Sequence, residues 1–134
     1  IVRKARKILG EMRGKKIAVF GLSFKPNTDD MRDAPSIDII ELLKKEGARV
    51  IAYDPQAVGN ARKIIKDIEY GEDVYDTVEG ADLLLIITDW NEFKEADLGK
   101  IKKLMKEPNI IDGRNIYDPI EAKKLGFSYI GVGR

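Results

Sequence analysis

The sequence contains no cysteine and no histidine, and these two absences limit the chemistry that the chain can perform. Without them it has no thiolate nucleophile, no imidazole base and no common zinc ligand. Any chemistry carried by this chain would therefore fall to carboxylates, lysines or tyrosines.

Long apolar runs and a strong charge of one sign are also missing. No run approaches the ~18 to 20 apolar residues that span a bilayer, and no signal-peptide pattern is present. We therefore expect a cytoplasmic protein without a membrane partner. The 24 Lys and Arg residues balance 23 Asp and Glu residues, which argues against a nucleic-acid partner.

The sequence does contain enough apolar residues to form the core of one folded domain. Its 134 residues are 43% hydrophobic, which excludes a disordered chain and fits a single domain. The charged fraction of 35%, with many Ile, Lys and Glu residues, predicts a thermophilic source.

The first twelve residues have a helical pattern. Val2, Ala5, Ile8, Leu9 and Met12 fall on one helical face. We expect residues 1–13 to be the end of an inter-domain helix, residues 14–134 to form one domain, and the chain to be a piece of a longer polypeptide.

Short apolar strands alternate with amphipathic helices along the remaining sequence. Strands are predicted at residues 16–21, 49–54, 82–88, 109–112 and 127–130. Helices are predicted at residues 35–46, 58–68, 73–79, 98–105 and 119–125. This alternation predicts an α/β, three-layer, Rossmann-like domain with a mostly parallel sheet.

Parallel sheets of this kind bind ligands at the carboxyl ends of their strands. Three loops are expected there: residues 21–36, 88–93 and 112–115. The glycine of the first loop, Gly21, stands alone, so the dinucleotide fingerprint G-x-G-x-x-G is missing.

Phe24 and Lys25 are the first candidates in these loops. Pro26 disfavours helical backbone at Lys25 and so predicts an extended conformation. Phe24 could then stack on a flat ring while Lys25 meets an anion. The alternative is that Phe24 packs on the core and Lys25 faces solvent.

Arg32 lies three residues before a helix that is predicted to begin at Pro35. The free N–H groups of that helix favour an anion, and the guanidinium would complete a phosphate site. Alternatively, Arg32 pairs with Asp29, Asp30 or Asp33 in a local ion cluster. Adjacent carboxylates without further ligands give no metal prediction.

Arg114 follows a strand and Gly113, which permits a tight turn at the sheet edge. A partly buried arginine needs a partner, and Asp112, Asp118 or a ligand anion could supply it.

Asp54 ends the second predicted strand, where many NAD-binding folds hold the ribose. It could instead cap the strand end with Pro55. A third possibility is a phosphoacceptor site with Lys25 opposite, in a stand-alone flavodoxin-like module.

Four ordered motifs together resemble one known family. They are residues 21–36 (GLSFKPNTDDMRDAPS), 53–55 (YDP), 88–93 (TDWNEF) and 112–119 (DGRNIYDP). The chain resembles the C-terminal, nucleotide-sugar-binding domain of the UDP-glucose/GDP-mannose dehydrogenases. Within this family the resemblance is strongest to the UDP-glucose 6-dehydrogenases.

The resemblance implies a function for the longer protein. Such enzymes oxidise the C6 alcohol of UDP-glucose to a carboxylate in two steps, reducing two NAD+, and supply polysaccharide biosynthesis. The catalytic Cys and the main NAD site would lie in N-terminal and central domains outside this sequence, so the chain alone would be inactive. Its first helix implies a homodimer.

Residue roles follow from the same resemblance. It implies that Phe24, Lys25 and Arg114 contact the UDP-sugar and that Arg32 reaches the pyrophosphate of NAD held by the other domain. The family commonly has Glu-Ser before the helix proline, whereas this chain has Asp33 and Ala34, so we expect Asp33 to act as N-cap. UDP-N-acetyl-mannosamine or GDP-mannose are alternative substrates.

Overall fold

A computed structural model describes residues 1–132. Residues 133 and 134, the end of the predicted domain, lie outside the described part. The described strands are β1 (Lys16–Phe20), β2 (Arg49–Tyr53), β3 (Glu69–Tyr70), β4 (Leu83–Ile86), β5 (Asn109–Asp112) and β6 (Ser128–Gly131). The described helices are α1 (Val2–Leu9), α2 (Pro35–Lys45), α3 (Val58–Ile64), α4 (Val74–Val78), α5 (Asn91–Lys94), α6 (Leu98–Leu104) and α7 (Pro119–Lys124).

The six described strands form one sheet in the order β3-β2-β1-β4-β5-β6, and every pairing among them is parallel. This is the strand order of doubly wound dinucleotide-binding folds. The predicted α/β Rossmann-like fold is confirmed, and the sheet is entirely parallel within the described residues. The order reverses between β1 and β4, which places a ligand crevice at their carboxyl ends.

The central strands supply two hydrophobic cores because their side chains alternate between the faces. Ile17 and Val19 of β1 enter one core, with helices α1, α2 and α3, while Ala18 and Phe20 enter the other, with α4 to α7. All four β4 residues are fully buried. Continuous apolar strands of this type are typical of a sheet covered on both faces.

The first helix is shorter than the sequence pattern predicts. It ends at Leu9 because Gly10 adopts a left-handed conformation, with φ of 71°. Ala5 is fully buried, and α1 packs against α2 and β5. Met12, predicted on the same helical face, is buried beyond the helix.

A second difference lies between α3 and α4. The helix predicted at residues 58–68 ends at Ile64, and residues 69 and 70 pair with β2 as β3. A two-residue strand is too short to leave a periodic pattern in the sequence. The short α5 was also not predicted, whereas the other boundaries differ by one or two residues.

Candidate functional site

Gly21 begins the loop after β1, and both its backbone conformation and its surroundings require a glycine at this position. Its φ is 104°, a conformation that favours glycine. A Cβ atom there would lie 2.5 Å from the Thr88 Cβ and 2.6 Å from its backbone nitrogen. The glycine therefore allows the loops after β1 and β4 to approach each other closely.

Asp54, directly after β2, is a buried carboxylate that holds two loops. It is 2% exposed. Its Oδ2 accepts hydrogen bonds from the backbone nitrogens of Leu22 and Ser23 at 2.8 and 3.0 Å. Its Oδ1 accepts from those of Gln56 and Ala57, both at 2.9 Å. These bonds satisfy a charge that would be costly to bury alone.

Trp90 joins the loop after β4 to the same carboxylate. Its indole Nε1 donates to Asp54 Oδ2 at 3.2 Å. The Thr88 hydroxyl donates to the Ser23 carbonyl oxygen at 3.0 Å, and the Ser23 hydroxyl lies 2.8 Å from the Lys25 carbonyl oxygen. The backbone up to Lys25 is thus tied to the loops after β2 and β4.

The side chains of Phe24 and Lys25 are exposed on this anchored backbone. Phe24 is 49% exposed, so the alternative is wrong in packing this ring on the core and right only in placing Lys25 in solvent. Lys25 faces solvent. An exposed aromatic ring beside a cation could contact a base or sugar ring that carries a phosphate.

Arg32 forms the local ion pair that was one of its two predicted roles. Its Nη2 lies 2.9 Å from Asp30 Oδ2, and its side chain is 89% exposed. Hydrogen bonds from the Arg32 side chain and backbone lower the pKa of Asp30 to about 2. Asp30 in turn raises the pKa of the guanidinium.

Arg32 also lines an open cleft of about 540 Å³. The opposite wall of this cleft is formed by Asn60, Lys63 and Ile64, at the α3 side of the sheet. Asn60 Nδ2 donates to the Asp29 carbonyl oxygen at 3.0 Å, which ties the wall to the loop.

The start of α2 corrects one expectation. Pro35 is the first helical residue, as predicted, but the N-cap is Ala34 and makes no side-chain capping bond. Asp33 has φ of 55°, so its backbone turns away from a capping geometry, and its prediction as N-cap is wrong. Ser36 instead fixes the helix start by donating to the Leu22 carbonyl oxygen at 2.6 Å.

Asp112, the last residue of β5, is a second buried carboxylate and is fully buried. Its Oδ1 accepts from the Arg114 backbone nitrogen at 3.1 Å, and its Oδ2 accepts from the backbone nitrogens of Ile116 and Tyr117 at 2.8 and 3.0 Å. The Tyr129 hydroxyl donates to Oδ2 at 2.6 Å. Asp112 thereby fixes the fold of the loop that carries Arg114.

The partner of the Arg114 side chain is Asp89, which the sequence did not indicate. Arg114 Nη2 lies 3.1 Å from Asp89 Oδ1, and the side chains are 41% and 30% exposed. The expectation of Asp112 or Asp118 as side-chain partner is therefore wrong, because Asp112 binds the backbone of Arg114 instead. Gly113 is needed here because a Cβ would lie 2.7 Å from the Ile86 carbonyl oxygen.

The four predicted side chains divide into two groups. Phe24, Lys25 and Arg114 lie on loops that both contact the loop after β4, the first two through Thr88 and the third through Asp89. Arg32 instead lines the cleft beside α3.

The region of Asp54 does not fit a dinucleotide held by this chain in the usual way. A ribose would need a free acidic acceptor at this position. Asp54 is buried, and both of its oxygens accept hydrogen bonds from the chain's own backbone. The same engagement argues against a phosphoacceptor role, and the structure supports the predicted role of Asp54 at the strand end.

Metal ligation finds no support in the described residues. Within residues 1–132, no group of three or more acidic residues could hold a metal ion. Nor does any helix among these residues have the length and apolarity to cross a membrane.

Sequence reasoning singled out Asp54 and Asp112 but missed that each of them organises a loop, although a partial signal existed. Asp54 and Asp112 each end a buried strand and precede a turn, in Asp-Pro and Asp-Gly pairs. Aspartates at such positions commonly bond backbone N–H groups two residues on. Nothing in the sequence links Asp89 to Arg114 or Trp90 to Asp54.

The strand order and the charged loops at its carboxyl edge define a Rossmann-like nucleotide-binding domain. A model of the UDP binding domain of the UDP-glucose/GDP-mannose dehydrogenase family matches residues 18–119. The chain belongs to this family, which confirms the resemblance of its motifs.

Known proteins agree with this assignment. The chain is 50% identical to UDP-glucose 6-dehydrogenase of Rhizobium meliloti over 93% of its length and 29% of that protein. It is 47% identical to UDP-glucose 6-dehydrogenase TuaD of Bacillus subtilis over 100% of its length and 29% of that protein. A UDP-glucose dehydrogenase structure from Pyrobaculum islandicum shares 32% identity with a TM-score of 0.82, over 98% of this chain and 28% of that one. The chain thus spans less than a third of the length of these relatives.

Proposed function

We propose that this chain binds the UDP part of a UDP-sugar within an NAD-dependent UDP-glucose 6-dehydrogenase. The observation that carries the proposal is the UDP binding domain match over residues 18–119, which includes Lys25, Arg114 and both buried aspartates. The relatives with the printed name UDP-glucose 6-dehydrogenase make UDP-glucose the favoured substrate.

The chemistry of the two loops supports a diphosphate ligand. Lys25 provides a point charge and Arg114 a planar fork of N–H donors, and both suit phosphate oxygens. Phe24 would cover a flat ring of the nucleotide, which would remove its exposed apolar surface from water. The anchored backbones below these residues would reduce the ordering cost of binding.

The other parts of the proposal concern the longer protein. In it, UDP-glucose is oxidised to UDP-glucuronate with two NAD+, in the cytoplasm and as a precursor step of polysaccharide biosynthesis. The catalytic Cys and the main NAD site belong to N-terminal and central domains, and α1 continues the helix through which a homodimer forms. A thermophilic source, inferred from the charged composition, is part of the same proposal.

Arg32 has a separate role in this proposal. It reaches the pyrophosphate of NAD bound by another domain, which its 89% exposed side chain at an open cleft permits. Replacing Arg32 by Ala should therefore raise the KM for NAD in the longer enzyme. The same change should leave the affinity of this chain for UDP unaltered.

Titration calorimetry of the chain with UDP and with NAD in separate runs tests the binding role. The wild-type chain should bind UDP in preference to NAD. Lys25→Ala and Arg114→Ala should each weaken UDP binding about tenfold or more, since a charge-assisted hydrogen bond contributes roughly 1.5–3 kcal/mol.

Lys45→Ala is the matched control, because Lys45 is an exposed cation at the far end of α2. It should leave UDP binding unchanged. Wild-type affinity in both the Lys25 and the Arg114 variants would contradict the proposed site, and strong NAD binding without UDP binding would contradict the proposed function.

A further inference from the structure

Asp89 occupies a rigid position between two anchored residues. Thr88 is fully buried and bonds the loop after β1, while Trp90 is 6% exposed and bonds Asp54. The residues on both sides of Asp89 are therefore anchored by hydrogen bonds, and its carboxylate lies 3.1 Å from Arg114 Nη2.

Among the residues that the structure describes, Arg114 is the ion-pair partner of the Asp89 carboxylate, and no hydrogen bond to another side chain supports it. Within the described residues, its Oδ1 is buried and accepts no well-aligned hydrogen bond, and its ion-pair contact is Arg114 Nη2 at 3.1 Å. If Arg114 moved away, this buried oxygen would lose its compensating charge, which is unfavourable. The pair is therefore expected to persist when a ligand arrives.

Arg114 has enough donors to keep this pair and bind a phosphate at once. A guanidinium carries five N–H donors in a rigid planar fork. The contact with Asp89 joins Nη2, and the side chain is still 41% exposed. Within residues 1–132 the other N–H donors of the guanidinium form no hydrogen bond with the protein, which leaves them for an anion, while Asp112 holds the backbone nitrogen of the same residue.

We propose that Asp89 is a positioning residue that orients the Arg114 guanidinium for the diphosphate of the nucleotide. This inference rests on the proposed UDP-binding function and adds a residue to it. A long side chain loses rotamer freedom when it binds, and Asp89 imposes that loss before the ligand arrives. The orienting effect outweighs the repulsion between the Asp89 charge and the anion, which fixes the sign of the test.

Replacing Asp89 by Asn keeps the shape and removes the charge that holds Arg114. UDP binding to the Asp89→Asn chain, measured by calorimetry, should be about two- to tenfold weaker, the range expected for releasing one ordered side chain. Uridine, which has no phosphate, should be bound as in the wild type. In the Arg114→Ala background, Asp89→Asn should cause no further weakening of UDP binding, because Asp89 acts through Arg114.

Asp67→Asn is the matched control for the change in net charge. Asp67 is exposed, precedes β3 at the opposite edge of the sheet, and has φ of 62°, which Asn also tolerates. It should not alter UDP binding. Tighter or unchanged UDP binding by Asp89→Asn, or equal weakening with and without Arg114, would overturn the inference.

Arg114→Lys tests the inference without changing Asp89, should the Asn variant not fold. A lysine keeps the charge but has no fork to hold Asp89 and a phosphate together. UDP binding should fall nearly as far as in Arg114→Ala, and wild-type affinity would overturn the positioning role. If the wild type does not bind UDP, both the proposed function and this inference are overturned. If the wild type binds UDP and the Asp89→Asn variant binds it equally well, only this inference is overturned.

Discussion

The loops after β1 and β5 are both anchored by a buried aspartate, but they differ in how far the anchoring extends. In the loop after β5, Asp112 binds the backbone nitrogen of Arg114 itself, and Asp89 holds the side chain. In the loop after β1, Asp54 anchors the backbone of Leu22 and Ser23, whereas Arg32, ten residues on, pairs within its own loop and is 89% exposed.

This difference matches the roles proposed for the two arginines. A residue that binds its ligand within this domain gains from a fixed position before binding. A residue that meets a ligand held by another domain must adapt to the relative position of the domains. The structure therefore holds both the backbone and the side chain of Arg114 and leaves the side chain of Arg32 exposed.

The largest expected effect concerns Asp54. Asp54→Ala leaves four backbone N–H groups without their acceptor and removes one of the two acceptors of the Trp90 indole. Because each unsatisfied buried donor costs about 1–3 kcal/mol, the free energy of unfolding should fall by at least about 3 kcal/mol. Urea unfolding followed by circular dichroism measures this loss.

The exposed Asp67→Asn change serves again as the control and should stay within about 0.5 kcal/mol of the wild type. A similarly small loss for Asp54→Ala would show that the buried carboxylate does not organise these loops.

The next largest effect is expected at Asp112, which holds three backbone N–H groups and the Tyr129 hydroxyl. Asp112→Ala should lower the free energy of unfolding by at least about 2 kcal/mol, less than Asp54→Ala because fewer donors lose their acceptor. It should also weaken UDP binding, since the backbone of Arg114 is no longer fixed. A folded Asp112→Ala chain with wild-type UDP affinity would remove the contrast between the two loops.

The smallest effect is the acid titration of the exposed pair. The pKa of Asp30 is lowered to about 2 by its hydrogen bonds with Arg32. A lowered folded-state pKa contributes stability above the unfolded value of roughly 3.9, and that contribution is lost as the pH falls toward 2. NMR of the Asp30 carboxyl carbon should show the titration near pH 2 in the wild type.

Arg32→Ala should move the Asp30 midpoint back toward its usual range. The change should leave the chemical shifts of the Arg114 loop as they are in the wild type. A midpoint that does not respond to Arg32→Ala would mean that the pair does not form in solution.

The sheet and its loops could be predicted from the sequence because their signals are local. The buried strands are continuous apolar runs, and Pro35 marks the start of α2 as expected. The two-residue strand β3 left no such signal, since it forms only by pairing with β2. Asp33 failed as an N-cap because Ala34 takes that position, and the positive φ of Asp33 left no signal in the sequence.

The positively charged side chains of the candidate site could also be predicted from the sequence, but the residues that they contact could not. Loop position alone singled out Lys25, Arg32 and Arg114. The ion pair of Arg114 with Asp89 joins residues 25 positions apart in the chain and depends on β4 and β5 being neighbours. The role of Asp54 likewise depends on β2 lying beside β1, which no single segment of sequence specifies.

The most direct test of the central claim is an NMR titration of the 15N-labelled chain with UDP. Amide signals of residues 22–25 and 113–116 should shift together, whereas those of Arg32 and the α3 wall of its cleft should stay in place. Shifts confined to Arg32 and α3, or shifts produced by NAD and not by UDP, would contradict a UDP site formed by the two anchored loops.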